Sequence, residues 1–318
     1  MLCFLQIAFG TVQAIHQQAD SQQRPLAIIT GGTRGIGFGI ASVLAGQGYD
    51  LILTYNTNVD AAETSKFRLL DSHPTCHIEC VGGDMTLVST RDKIFACLDT
   101  KFKDNIDDAS SSPLQVLVHN AGQYIGITSQ NSDGLNDGAL AFGDGSLIRK
   151  NEDGVERPDF SSIQYYQRLY GEAWIDLCER CLQRMNSRHG GSIVGISSPG
   201  VHPSLYRPDR FYSAPGCGKT IMEYSMRIFA KVAAERNINV NIVVPGIVQT
   251  DAWDSMEKYR QDGETTEVML KRLVEYLVPL KRVQQPTDIG EVIAFLCSPS
   301  GRFITGLTLP ADGGQHIR

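Results

Sequence analysis

The sequence has no surplus of basic residues: 29 Lys and Arg stand against 35 Asp and Glu, a formal net charge of −6 over 318 residues. A nucleic-acid surface needs a positive footprint, so no nucleic-acid partner is expected and a small-molecule role is favoured. Beyond residue 24 no apolar run approaches the roughly 18 residues that a membrane span requires. The eight cysteines lack the spacing of a disulfide framework, which points to a reducing, cytoplasmic setting. The one CxxC, Cys178 and Cys181, lies in a helical pattern with no second ligand pair nearby. It reads as two cysteines on a helix face, and no metal site is expected.

Residues 1–24 open on the apolar LCFLQIAFG and hold a small-residue stretch, Val12-Gln13-Ala14, that resembles a signal cleavage site. They lack the Lys or Arg that precedes such a segment, and read instead as a polar-ended extension before a domain at 25–318. No linker divides that domain.

What is present starts at 24–37, RPLAIITGGTRGIG: a short apolar run, then a glycine-rich turn that opens a helical pattern. Glycines there let the backbone turn tightly and approach a phosphate, and the helix N-terminus offers free N–H groups to an anion. A second buried strand, within GYDLILTYN, follows about 20 residues on, as a βαβ unit requires. Strand and helix patterns then alternate: helix near 59–71, strand 76–84, helix near 87–101, strand 114–120, helix 163–186, strand 190–198, helix 219–236, strand 238–246, helix near 286–297 and a closing strand in ITGLTLPADGG. That rhythm predicts an α/β fold, one doubly wound domain on a mostly parallel sheet. Two stretches interrupt it. The Gly-, Asn- and Asp-rich 131–160 is either a cover over the site or a solvated excursion, and 254–282, helical in period, is the better candidate for a substrate lid.

TGGTRGIG at 30–37, HNAG at 119–122, GGSIVGISSPG at 190–200, VNIVVPGIVQTDAW at 240–253 and the closing ITGLTLPADGG, in this order, resemble the short-chain dehydrogenase/reductase family over roughly 25–314. The resemblance implies a Rossmann-type oxidoreductase with a nicotinamide cofactor. It places Gly31, Gly35 and Gly37 at the pyrophosphate, makes Thr33, Arg34 and Ile36 of the same turn cofactor-binding residues, and sets Asp84 at the adenine. Asn56 then falls beyond the second strand, Asn120, Ala121 and Gly122 at the adenosine ribose, and Pro245, Gly246, Val248 and Thr250 at the carboxamide. It also implies a homodimer or homotetramer through the helices near 163–186 and 219–236.

Charge chooses between the two cofactors. The second strand ends in LTYNTN, without the carboxylate that would repel a 2′-phosphate, while Arg34 offers a guanidinium suited to it. NADP(H) is therefore expected.

The catalytic segment PDRFYSAPGCGKT departs from the family pattern, in which a Tyr precedes a Lys by four residues. Lys219 is the plausible lysine, but Pro215 stands where the phenol belongs. The nearest preceding phenol is Tyr212, at a Tyr-x6-Lys spacing similar to the family's enoyl reductase branch. A fully helical interval would rise about 10.5 Å, too far for both groups to meet one substrate and ribose. Pro215-Gly216 predicts instead a turn that brings Tyr212 back toward Lys219. Ser198, with Ser197 as its close neighbour, is the candidate to bind the substrate oxygen, and Tyr206 and His202 are local substitutes for the acid. The family's helix Asn is missing near Tyr170. SAPGCGKT nearly spells a phosphate-binding loop but has Ser213 for Gly and no strand before it, so an NTPase reading fails. His119, ending a buried strand, reads as structural.

The leading expectation is hydride transfer between NADP(H) and a ketone or secondary alcohol of a small to mid-sized molecule, with Tyr212 as acid/base, Ser198 orienting the oxygen and Lys219 holding the ribose. The alternatives are reduction of a conjugated C=C bond and, in another class, a non-catalytic NADP(H)-binding regulatory or scaffold protein.

Overall fold

The computed structural model describes residues 24–102, 112–122, 148–150, 153–158, 160–185, 190–202, 205–206, 213–257 and 264–317. Seven parallel strands form one sheet: β1 (Leu26–Thr30), β2 (Asp50–Tyr55), β3 (Ile78–Gly82), β4 (Leu114–His119), β7 (Gly191–Ile196), β8 (Ile238–Pro245) and β9 (Thr308–Ala311), in the order β3-β2-β1-β4-β7-β8-β9. Between β4 and β7 in the chain, β5 (Ile148–Lys150) and β6 (Glu156–Pro158) pair antiparallel, so the long 131–160 excursion contains a small two-stranded element of its own.

Alternation sends successive residues to opposite faces. Leu26 and Ile28 enter one core with Trp174, Met222 and Ile242; Ala27 and Ile29 enter the other with Ile40, Leu44 and Ile289. Helices cover both faces. We number them α1 (Gly35–Gly46), α2 (Val59–Ser72), α3 (Val88–Lys101), a composite α4, α5 (Ser213–Ala233), α6 (Asp251–Glu257), α7 (Thr266–Leu277) and α8 (Pro286–Cys297). Helix α4 runs as Ser161–Tyr166, a π-helical Gln167–Glu172 and Ala173–Arg184. Ahead of β1, Arg24 Nε donates to Asp50 Oδ1 at 3.0 Å.

Register determines where a site can form. Thr30 is level with His119, His119 with Gly195, and Ile196 with Val243. The carboxyl ends of β1, β4, β7 and β8 therefore share one edge, and the strand order switches sides at β1, with β2 and β3 on one flank and β4 and β7 on the other. Ligands of open parallel sheets bind at such a switch point.

Apart from the β5–β6 pair, which the sequence reading did not include, the element map departs from that reading at two places. The helix expected at 219–236 begins six residues earlier, at Ser213, and passes straight through Pro215 and Gly216, so the turn predicted there does not exist. Proline is tolerated at this position because the first N–H groups of a helix have no intrahelical partner to lose. The helix expected at 163–186 carries a π segment that its residue pattern did not announce.

Candidate active site

The turn after β1 is built from bare backbone. Gly31 (φ 62°) and Gly35 (φ 51°) occupy the left-handed region. A Cβ on Gly37 would lie 2.1 Å from the Gly31 oxygen, and one on Gly31 would lie 3.0 Å from Ala121 Cα. Helix α1 starts at Gly35 with Arg34 as an N-cap that makes no side-chain cap bond. Its first-turn amides therefore face an open end that suits an anion. Arg34 and Asn56 are exposed, Thr33 is buried with its carbonyl accepting from Ser65 Oγ at 2.6 Å, and Ile36 packs partly into the α1 core.

The turn is locked to β4. Thr30 Oγ1 accepts from the N–H groups of Asn120 (3.0 Å) and Ala121 (2.9 Å) and donates to His119 Nδ1 (3.0 Å). His119 Nε2 then donates to the Leu169 carbonyl at 3.1 Å, which fixes the tautomer. Burial, with Lys219 nearby, pushes this imidazole down to about 3, so it is a neutral structural group, as its strand-end position suggested. Asn120 Nδ2 donates to the Thr30 and Gly31 carbonyls, both at 3.1 Å. Asp84 Oδ1 accepts from Thr86 N at 2.8 Å in a loop after β3.

At the end of β7 the construction changes. Lys219 is 4% exposed, its ammonium donates to the Ile196 carbonyl, and it lies 4.0 Å from the centroid of the Tyr170 ring. Burial brings its pKa down to about 7, against the opposing pull of Glu223 one turn on. Glu223 accepts from Ser197 Oγ, and burial raises its carboxyl above the ordinary range. Ser197 is thus committed to the helix, and the half-exposed Ser198 follows it just past the end of β7. Tyr212 lies outside the described residues; its neighbour Ser213 opens helix α5. The same helix accounts for SAPGCGKT, which is helical throughout and not a phosphate loop.

Beyond β8, Pro245 ends the strand, Gly246 N donates to Gln284 Oε1 at 3.0 Å, and a Cβ on Gly246 would meet Asp312 Cα at 2.9 Å. Val248 is buried with its carbonyl bonded to Trp253 Nε1 at 2.7 Å. Thr250 reaches the glycine turn, its Cγ2 3.3 Å from where a Gly35 Cβ would stand. A cavity of about 690 Å³ opens between Gln249-Thr250 and helix α7, with Asp254, Leu270 and Arg282 on its walls. It belongs to the 254–282 segment rather than to the Lys219 cluster. Tyr206 Oη donates to Asp312 at 2.8 Å, and burial together with this carboxylate pushes the phenol pKa strongly upward. That phenol's proton is held, so Tyr206 does not suit the role of substitute acid.

Three residues of this edge escaped the sequence reading. Glu223 carried a readable signal, an acid four residues after Lys219 and so on its face of a helix. Asp312 stood inside the closing motif. Tyr170 was marked only by the absence of Asn, and its position over Lys219 follows from the π segment.

Two family models match consecutive parts of the chain: one described as short chain dehydrogenase over residues 25–138 and one described as Enoyl-(Acyl carrier protein) reductase over residues 167–316. The chain is 27% identical over 309 residues to a hydroxynaphthalene reductase-like protein, Arp2, of Metarhizium brunneum, covering 93% of this chain and 99% of that protein. It is also 27% identical over 292 residues to versicolorin reductase stcU of Emericella nidulans, with 91% and 94% covered. The solved L-sorbose reductase of Gluconobacter frateurii, complexed with NADPH and L-sorbose, superposes with a TM-score of 0.71 at 21% identity, over 92% of this chain and 97% of that one.

Proposed function

The chain belongs to the short-chain dehydrogenase/reductase family, and we propose that it is an NADP(H)-dependent reductase of a ketone, or in reverse an oxidant of the secondary alcohol, in a small to mid-sized organic molecule. The observation that carries this reading is a buried ammonium, Lys219, at the end of β7, on the sheet edge that also presents the uncapped glycine turn. The reductases among its relatives, and the NADPH held by the L-sorbose reductase, support it.

When bound, the nicotinamide nucleotide supplies or accepts the hydride. The residues of the chain do the rest. The amides from Gly31 to Gly37, with Thr33 and Ile36 among them, receive the pyrophosphate on a backbone that no Cβ obstructs. Arg34, exposed and facing no carboxylate at the end of β2, binds the 2′-phosphate beside Asn56. Asp84 meets the adenine, Asn120, Ala121 and Gly122 border the adenosine ribose, and Pro245, Gly246, Val248 and Thr250 hold the carboxamide. Lys219 Nζ donates to the nicotinamide ribose. Tyr212 Oη gives the carbonyl oxygen its proton and Ser198 Oγ donates to the same oxygen.

Replacing Tyr212 by Phe tests the assignment. Turnover of a ketone panel should fall about 10²- to 10⁴-fold while NADPH affinity holds. Turnover at the full rate would remove Tyr212 from the chemistry. A second reading, reduction of a conjugated C=C bond, is favoured by the Tyr-x6-Lys spacing and by the enoyl reductase description of the model matching 167–316. One enone incubated with NADPH separates them, according to whether C=O or C=C is consumed.

The reading extends to assembly and compartment. Tyr224, Ile228 and Val232 form an exposed apolar stripe along α5, which supports a homodimer or homotetramer through that helix. The unpaired thiols of the described residues, three of them buried at Cys76, Cys178 and Cys181, support a cytoplasmic setting.

A further inference from the structure

Tyr170 occupies a place that its backbone creates. It lies inside the π segment Gln167–Glu172, and π turns inside helices gather at functional sites. Two glycines bring this segment against α5. A Cβ on Gly218, the residue before Lys219, would strike the Tyr166 oxygen at 2.3 Å and Tyr170 Cδ2 at 3.2 Å; one on Gly171, the residue after Tyr170, would meet Ile221 Cγ2 at 2.9 Å. The segment is also tied to the glycine turn, because the Leu169 carbonyl accepts from His119 and His119 accepts from Thr30. The result of this close approach is a ring face 4.0 Å from the Lys219 nitrogen, on a ring that also stacks on Tyr166 with centroids 5.6 Å apart and planes 9° from parallel.

We propose that Tyr170 is a positioning residue for Lys219, its ring face holding the ammonium at the end of β7 where the family pattern has an Asn. The inference rests on the role given to Lys219 above. A buried ammonium with one carbonyl acceptor among the described residues needs further negative potential, and an aromatic face supplies it most effectively away from water. The π turn aims the ring, the Gly218 and Gly171 contacts set its distance, and the His119 bond ties that geometry to the nucleotide turn. The ionisable groups around the ammonium are Glu223 on its own helix, His119 on β4 and Tyr170 itself, with His202 acting on Glu223 from the loop after β7. Burial drives the Lys219 pKa down to about 7, so loss of the ring should lower it further.

The test is the titration of Lys219 in the full-length protein without cofactor, followed by 13C-lysine NMR and assigned by the signal missing from Lys219→Met. Tyr170→Phe keeps the ring and should keep the wild-type midpoint. Tyr170→Leu should lower it by about one pH unit, weaken NADPH binding about tenfold and reduce kcat more than it changes the substrate KM. Should Tyr170→Leu not fold, phenylalanines carrying one, two and three fluorines at position 170 keep the shape while draining the ring face, and the midpoint should step down with each fluorine. An unmoved midpoint across that series, or a Phe variant that shifts as far as Leu, overturns the proposal. Because this readout needs neither cofactor nor turnover, it stands apart from a failure of the reductase assignment, which would appear as absent NADPH-dependent activity in the wild type.

Discussion

The glycine turn after β1 and the Lys219 cluster after β7 share one edge of one sheet, yet the first is made of backbone and the second of buried side chains. At the turn, the groups available to a ligand are amides, and what shapes them is the absence of Cβ atoms at Gly31 and Gly37. At the cluster, an ammonium, a carboxylate, a hydroxyl and a phenol ring are packed together from α5, the loop after β7 and the π segment. A backbone site admits almost no change in residue type. A side-chain site can be rebuilt piece by piece, and this chain has done so, with Pro215 in the place of the usual phenol and Tyr170 in that of the usual Asn.

The hardest way to break the comparison is to put a methyl group in the turn. Gly37→Ala drives a Cβ against the Gly31 oxygen and to within 2.6 Å of Asn120 Nδ2. Neither neighbour is a flexible side-chain end free to retreat, since that amide is bonded to the Thr30 and Gly31 carbonyls. We expect a cost of about 3 kcal/mol in stability and loss of measurable NADPH binding, read by thermal melting and calorimetry. A variant that binds NADPH as the wild type does would show that the turn is not the pyrophosphate site.

Arg34→Ala sharpens the comparison within the turn, because it removes the one charged side chain there and leaves the backbone intact. A charged hydrogen bond to a phosphate is worth about 2 kcal/mol, so the KM for NADPH should rise about 30-fold while that for NADH stays put. Equal rises for both cofactors would assign Arg34 to the pyrophosphate instead of the 2′-phosphate.

The same contrast explains what could be read from the sequence. The strand and helix order was legible because Leu26, Ala27, Ile28 and Ile29 alternate between two cores, and because glycines at a tight turn leave no substitute for themselves. The start of α5 was not, since Pro215-Gly216 signals a break by propensity and is admitted only by its place in the first turn. The ring of Tyr170 over Lys219 was beyond reach. It depends on a π segment and on close approaches at Gly171 and Gly218, between residues far apart in the chain. Lys219 itself was legible as a residue but not as a buried ammonium, for its burial is contributed by β4, β7 and α4 together.

Tyr206→Phe is the gentlest change and separates the two phenols that lie between β7 and α5 in the sequence. Tyr206 Oη donates to Asp312, whose carboxylate also accepts from Gly314 N at 3.0 Å, His316 N at 2.8 Å and His316 Nδ1 at 2.9 Å. Burial alone would raise that carboxyl, but the hydrogen bonds from His316, Tyr206 and Gly314 hold it below its ordinary range. With several donors remaining, removal of one hydroxyl should cost about 1 kcal/mol. The cost should be full at neutral pH and shrink as the pH falls below about 4, where Asp312 takes up a proton in the unfolded chain and then in the folded one, and the stability that its lowered pKa contributes is lost. Because Tyr206 holds its proton in a hydrogen bond to this carboxylate and its pKa is driven up, that proton is not poised to leave, so kcat should stay within about twofold of the wild type. A drop of 10²-fold or more would move the acid from Tyr212 to Tyr206, and would place the chemistry on the loop after β7 instead of at the start of α5.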